Sequence, residues 1–397
     1  MEIMNTEEFI RKFRGEDTRQ LALQGSKYPE VDMPFALNQI AGWQTARTKL
    51  PSWAACDGII YPPHLSMEQC SSEATAQAKF AAVPSLIGET QGEAVDLTGG
   101  FGVDFSFMAR FFAKATYVER QPHLCDIAHH NFKVLGLSQA SVVCGDAVEY
   151  LHSMKPVDFI FLDPARRDSN GGRTYALEDC TPDILELKDL LLEKAPVVMA
   201  KLSPMLDWHK VVADLGCVSE VRIISVRNEC KEMTLVMRRN NTEPLRIIAQ
   251  NDDETVDFCI SDSVDTHLEL WTESEENLVG KYLYEPNASL MKAGCFGKLS
   301  ERYGIKKIGA HSNLFVSDER TDFPGRVFQI SAVSSMNKKD IKRILSGITQ
   351  ANIAIRNFPL SAEALRKQLK LKDGGEVYIF GTTVGDKRHI LLITQKQ

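Results

Sequence analysis

The stretch that most constrains this chain is Ala94-Val95-Asp96-Leu97-Thr98-Gly99-Gly100-Phe101-Gly102, a short apolar run that ends on an acid and a glycine-rich turn. It reads as a buried parallel strand passing into a helix through a turn tight enough to need glycine. Such a junction presents unpaired N–H groups at the helix start and lets backbone approach a ligand closely, which is how doubly wound folds seat nucleotide-like molecules. One turn of this kind is a weak signal. It is strengthened by three more acids, each ending its own strand-like run: Glu119 after Ala115-Thr116-Tyr117-Val118, Asp146 after Val142-Val143-Cys144-Gly145, and Asp163 after Asp158-Phe159-Ile160-Phe161-Leu162. A solvated strand end or a helix N-cap explains any one of them alone. Four in succession make a site.

This order and spacing resemble the class I S-adenosylmethionine-dependent methyltransferases over roughly residues 92–240. The resemblance implies that Asp96 with Gly99, Gly100 and Gly102 meets the methionine part of S-adenosylmethionine, that Glu119 takes the ribose hydroxyls, and that Asp146 faces the adenine amino group. Asp163 would then meet the substrate. The residue types suit those tasks, because a ribose diol and an amino group both offer hydrogens that a carboxylate accepts. The competing reading is a dinucleotide site. Its G-x-G-x-x-G fingerprint would require Gly100-Phe101-Gly102-Val103-Asp104-Phe105, where the third glycine is missing and an acid stands on the approach to any pyrophosphate.

At 397 residues the chain is long enough for two or three domains. Hydrophobic residues make up 44% and charged residues 25%, the balance of a globular protein in water. The opening residues lack a charged-then-apolar leader and no apolar run is long enough to span a bilayer, so a cytoplasmic location is expected. Nine cysteines are scattered singly without a C-x-x-C pair, the pattern of reduced thiols rather than of disulfides or structural zinc. His129 and His130 are adjacent in an expected helix, where neighbours point about 100° apart. No metal is expected.

Residues 1–90 read as a helical cap, with helices near 6–13 and 34–50, a loop over 51–63, and capping chemistry from Ser66, Ser71 and Ser72 before a helix over 74–82. Over 91–240 the pattern becomes strand, turn, helix. Strands are predicted at 93–97, 115–119, 141–145, 157–162, 195–200, 220–227 and 232–239. Only Asn228-Glu229-Cys230-Lys231 separates the last two, too little for a crossover, so they must form an antiparallel hairpin. The expected fold class is therefore α/β: a Rossmann-like seven-stranded class I methyltransferase sheet with an antiparallel terminal hairpin, an N-terminal helical region and a C-terminal α+β part.

Residues 241–325 begin with an acidic segment, 251–276, that has no lysine or arginine; its alternating runs 256–260 and 267–271 predict half-buried strands. The stretch 281–317 is similar to a small ferredoxin-like domain found behind methyltransferase domains in a group of bacterial proteins. Residues 326–397 reverse the charge, with thirteen basic residues against five acids, or +8 in a chain of −7 overall, which leaves −15 for the rest. That asymmetry points to an anionic partner, or else to solvated helix faces over 338–348 and 361–371. Its order is strand, helix, strand, helix, hairpin. With Val377-Tyr378-Ile379-Phe380-Gly381-Thr382-Thr383 and the strand that follows, it resembles the THUMP-like domain of the same group, which implies RNA, chiefly tRNA, as partner. Lys338, Lys339, Lys342 and Arg343 are the residues expected to read phosphate.

Asp163-Pro164-Ala165-Arg166-Arg167 stands where methyltransferases of exocyclic amino groups carry D-P-P-Y. Asp163 and Pro164 are kept, while alanine replaces the second proline and Arg166 the stacking ring. D-P-A-R also occurs in uracil C5 methyltransferases of RNA, which attack C6 with a cysteine from a turn after the fifth strand. Here that turn is Lys201-Leu202-Ser203-Pro204, with leucine in the thiol's place, so a covalent route is rejected. What is left is direct transfer to a nitrogen or oxygen of tRNA or rRNA, with Asp163 as acceptor or base. Arg166 or Arg167 would pair with substrate phosphate or carboxylate, Arg173 and Tyr175 would close over the target from the same loop, and Lys201 would face either the site or solvent. Two alternatives stay open: an RNA-binding protein that keeps a non-catalytic nucleotide fold, and a small-molecule methyltransferase.

Overall fold

The computed structural model describes residues 4–88, 92–166, 177–260, 268–385 and 387–397. Two compact units emerge, one of residues 1–226 and 231–245, the other of residues 227–230 and 246–397.

In the first unit the helix Thr6–Phe13 begins with a reciprocal capping box between Asn5 and Glu8, and Asp32 caps the long helix Met33–Lys49. Ser72 caps Glu73–Phe80, whereas Ser66 lies inside a separate short helix, His64–Gln69, and caps nothing. Residues 51–63, expected as a loop, open with a helical turn, Pro51–Ala54, because proline at the first helical position loses no hydrogen bond there. That turn buries Trp53 edge-on against Phe101, centroids 4.9 Å apart.

Seven strands follow: β1 (Glu93–Asp96), β2 (Lys114–Glu119), β3 (Ala140–Cys144), β4 (Phe159–Leu162), β5 (Val197–Leu202), β6 (Val218–Val226) and β7 (Glu229–Arg238). They lie in the order β6-β7-β5-β4-β1-β2-β3. The pairs β1–β2, β1–β4, β2–β3 and β4–β5 are parallel, while β7 runs antiparallel to β5. Every residue of β4 is buried, as a strand covered on both faces must be. The hairpin is tighter than expected: only Arg227 and Asn228 turn, both at positive φ, and pairing resumes at Glu229.

The second unit holds β8 (Leu245–Asn251) and β9 (Glu254–Ile260), of which β8 escaped the sequence reading. Of the run 267–271, residue 267 lies outside the described residues, and the rest forms no strand: Leu270 makes one isolated bridge to Lys307. A larger sheet comprises β10 (Tyr282–Pro286), β11 (Lys306–Gly309), β12 (Ser312–Ser317), β13 (Gly325–Ser335), β14 (Asn352–Arg356), β15 (Val377–Val384) and β16 (Arg388–Lys396), ordered β11-β12-β10-β13-β16-β15-β14. It curls on itself, since Ser312 in β12 donates to the Thr383 carbonyl in β15 at 2.6 Å and the Gly385 N–H reaches the Ile308 carbonyl at 3.2 Å. Alternation along β16 divides its core, Ile390 and Leu392 packing with Phe328 and Phe380, Leu391 and Ile393 with Leu365 and Ile379.

Candidate active site

The carboxyl ends of β1, β2 and β4 and the loops beyond them wall a cavity of roughly 700 Å³ in the first unit. Asp96, Glu119, Asp146 and Asp163 all line it, as do Gly99, Gly100 and Gly102. Asp96 is buried. Its Oδ1 accepts the Thr98 N–H at 2.9 Å, while its Oδ2 is buried without a hydrogen-bond partner among the described residues. Burial, followed by the charges of Asp104, Asp163 and Glu119 and opposed by the Thr98 N–H, pushes its carboxyl up to about 8. The Thr98 hydroxyl accepts the Asp163 N–H at 2.6 Å, so the ends of β1 and β4 are tied together.

Glu119 uses one oxygen to accept the Gly100 N–H at 3.0 Å and the other to accept the Gln121 N–H at 2.8 Å. The second-strand acid therefore holds the glycine turn as well as facing the cavity. Asp146 caps the helix Ala147–Ser153 through one oxygen, with the Val148 N–H at 2.8 Å and the Glu149 N–H at 3.2 Å. The glycines divide their labour. A side chain at Gly99 would collide with the Tyr117 ring at 2.1 Å, and one at Gly102 would meet Phe132 at 2.9 Å, so packing on β2 and its helix demands both. Gly100 and Gly102 are both at positive φ, 54° and 87°, but at Gly100 the Cβ position is open save for the Thr98 carbonyl at 3.9 Å, which leaves backbone bare toward the cavity.

Asp163 is half-exposed and bonded to Lys201, whose Nζ lies 2.6 Å from its Oδ2. Of the two orientations open to Lys201, the structure selects the one that faces the site. Its ammonium also donates to the Ser71 hydroxyl at 3.1 Å and stands 3.5 Å from Asp104. The Ser71 hydroxyl donates to Asp104 at 2.8 Å and accepts from Lys79 at 3.2 Å. Lys79, fully buried, is paired with Asp104 at 3.0 Å and with Glu232 of β7. Charges thus alternate from Glu232 through Lys79, Asp104 and Lys201 to Asp163. Burial works against ionisation of Asp104, but Lys79, Lys201 and Ser71 outweigh it and hold its carboxyl below the usual range. Burial also opposes the Lys201 charge, yet Asp163, Asp104 and Glu232 raise its ammonium well above the ordinary value, so it stays protonated. Asp163 is raised by burial against the pull of Lys201.

Ser71, Lys79, Asp104 and Glu232 were not among the sequence candidates for the site, because each stands among other polar residues of its element and nothing local marks it. Arg166 has its backbone in a two-residue pairing with Cys180–Thr181; its side chain, and the whole of Arg167, Arg173 and Tyr175, lie outside the described residues. Pro164 lines the cavity. Leu202 is buried at the position where uracil C5 methyltransferases carry their cysteine. Two cysteines, Cys70 and Cys180, do line the cavity, but burial raises the Cys70 thiol and it donates to the Met67 carbonyl, the reverse of an activated nucleophile. In the second unit, Lys338, Lys339, Lys342 and Arg343 are exposed on or beside the helix Lys338–Ile344. Among the described residues, no helix is long and apolar enough to cross a membrane.

No curated protein matches the sequence. A family described as THUMP domain-like matches residues 325–396, and one described as a ferredoxin-like domain matches residues 282–324. A candidate RNA methyltransferase from Pyrococcus horikoshii is 16% identical, with 48% of this chain and 96% of that chain covered and a TM-score of 0.35. For a SAM-dependent methyltransferase from Agrobacterium tumefaciens the values are 16%, 41%, 60% and 0.31. Likenesses of that size carry no argument. A candidate methyltransferase from Porphyromonas gingivalis W83 is far nearer, with 31% identity, 99% of both chains covered and a TM-score of 0.86. Identity at that level along both whole chains, on the strand order described above, makes this chain a member of the same family, the class I S-adenosylmethionine-dependent methyltransferases with C-terminal ferredoxin-like and THUMP-like domains.

Proposed function

We propose that this chain is an S-adenosylmethionine-dependent methyltransferase of RNA, tRNA or rRNA, that moves a methyl group directly to a base nitrogen or an oxygen without a cysteine adduct. One observation carries the reading: a single cavity is lined by all four strand-end acids and by the bare backbone of Gly100. The cofactor fits that wall chemically. A buried carboxyl oxygen of Asp96 has no partner among the described residues, and acids outnumber cations around the cavity, which suits a ligand bearing a sulfonium and an ammonium. Asp96 and the glycine turn would hold its amino-acid end, Glu119 its ribose and Asp146 its adenine. When bound, it supplies an electrophilic methyl group.

The residues of the chain supply the rest. Asp163 accepts the proton of the target N–H or O–H and orients its lone pair, and a carboxylate of raised pKa is the better acceptor. Lys201, held protonated by Asp163 and Asp104, fixes that carboxylate's direction. Pro164 lines the cavity beside it, and Arg166, Arg167, Arg173 and Tyr175 are the residues proposed to meet the substrate. The exposed Lys338, Lys339, Lys342 and Arg343 would meet RNA phosphate, in keeping with the THUMP-like match. Mass spectrometry of RNA nucleosides from cells lacking the gene tests the reading, because one methylated nucleoside should vanish and return with the wild-type gene but not with Asp163→Asn. An unchanged nucleoside profile would favour a small molecule as the methyl acceptor, or RNA binding without turnover.

A further inference from the structure

The charged cluster on the curled sheet of the second unit plays no part in the chemistry above. Glu285 of β10 is 5% exposed at its side chain, and it bonds two arginines at once. Arg326 stands opposite it across the β10–β13 pairing and donates from Nε to Oε2 at 2.6 Å. Arg356, at the end of β14, donates from Nη2 to Oε1. Strand order alone would keep β14 far from β10; the curl of the sheet brings them together. Glu285 belongs to the ferredoxin-like match and both arginines to the THUMP-like match, so the cluster exists only where both are present.

One arginine would suffice to neutralise a buried carboxylate. The second leaves a net charge of +1, and both arginine side chains are 36% exposed. Each guanidinium has about five N–H groups in a planar fork. Arg326 directs its bonds to Glu285 alone, and Arg356 directs one to Glu285 and one to the Ile355 carbonyl at 2.7 Å, so most of both forks has no protein acceptor among the described residues. A carboxylate that fixes two forks side by side removes the rotamer entropy each would lose on meeting an oxyanion. Arg326 is next to the start of β13 and the helix bearing Lys338 follows its far end, so about 30 Å of strand separates the two basic features.

We infer that Arg326 and Arg356, held by Glu285, form a phosphate-binding clamp for the backbone of the RNA substrate, distinct from the lysine-bearing helix. The inference rests on the RNA reading above. Binding of labelled bulk tRNA to the full chain, measured over a range of salt concentrations, tests it. Arg326→Gln and Arg356→Gln each leave Glu285 one arginine, and each should weaken tRNA binding about tenfold or more and lower the salt slope by roughly 0.7–0.9. If a glutamine variant does not fold, Arg356→Lys keeps a cation on Glu285 and should still weaken binding severalfold, because lysine lacks the fork. Wild-type affinity and slope in the folded variants would overturn the clamp and leave the RNA reading standing. Absence of salt-dependent binding of both bulk tRNA and bulk rRNA by the wild-type chain would overturn both.

Discussion

Asp104 in the first unit and Glu285 in the second are both buried carboxylates gripped by two cations, yet their settings are opposite in sign. Asp104 lies between Lys79 and Lys201, and each lysine bonds a further acid, Glu232 or Asp163. Acids are in excess and the lysines are nearly sealed from solvent. Among the described residues Glu285 has no second acid beyond its arginines, and both of those are partly open. The difference lies in what each arrangement leaves unsatisfied. A chain with surplus acid presents a carboxylate, Asp163, able to take a proton; a pair with surplus cation presents donors to an anion. The choice of cation follows. A lysine ammonium can bridge several oxygens within a closed space, whereas the arginine fork suits a planar oxyanion arriving from outside.

The largest effect that would test this contrast is at Asp163. Asp163→Asn should lower methyl transfer roughly 10²- to 10⁴-fold with cofactor affinity nearly unchanged, as single-turnover rates and calorimetry would show. Lys201→Met should move the acidic limb of the pH–rate profile upward, because Lys201 lowers the Asp163 pKa against burial. A full rate in Asp163→Asn would move proton acceptance to another group. Next in size is Lys79→Met, which leaves Asp104 and Glu232 buried with one cation fewer and should cost about 3–5 kcal/mol in urea denaturation. Adding Glu232→Gln should recover part of that loss; additive losses would mean the two do not act as a pair.

Glu119→Ala comes third. It removes a buried acceptor and frees the Gly100 N–H, and it should weaken S-adenosylmethionine binding by about 1–3 kcal/mol. Identical isotherms for mutant and wild type would seat the ribose elsewhere. The smallest effect, per unit of pH, concerns Asp96. Its folded carboxyl sits at about 8 and an unfolded one near the ordinary 3.8, so between those values the unfolded state has lost a proton that the folded state keeps. Stability contributed by this group should therefore fall as pH rises across that window, by at most about 1.4 kcal/mol per unit. Asp96→Asn should flatten the slope of Tm against pH, and an unaltered slope would show that the carboxyl is ionised in the fold.

Much of the first unit was legible because its signals are local. Ala94 to Gly102 contains a strand, its terminal acid and its turn within one short stretch, and β2, β3 and β4 each have an acid at their end or within two residues beyond it. The brief turn between β6 and β7 forbids a crossover, so their antiparallel pairing follows from sequence spacing alone. Failures came where local patterns were ambiguous. Leu245–Asn251 is a strand that followed a turn-rich stretch, while the alternating residues after 267 gained only one bridge, since alternation describes a strand's faces but does not supply a partner.

What the sequence determined by itself is the set of groups that one strand and its following turn can bring together: Asp96 with its glycines, Glu119, Asp146 and Asp163, each at the end of its own strand. What only the tertiary structure decided is which distant charges meet. Lys79 reaches Glu232 across 153 residues, Lys201 reaches Ser71 across 130, and Arg356 reaches Glu285 across 71. No periodicity encodes such pairs, because a side chain's partner across a sheet or a helix face depends on how whole elements pack. The physical reason is burial: once the fold removes water from these groups, each charge must find an opposite one, and the geometry of packing decides which is within reach.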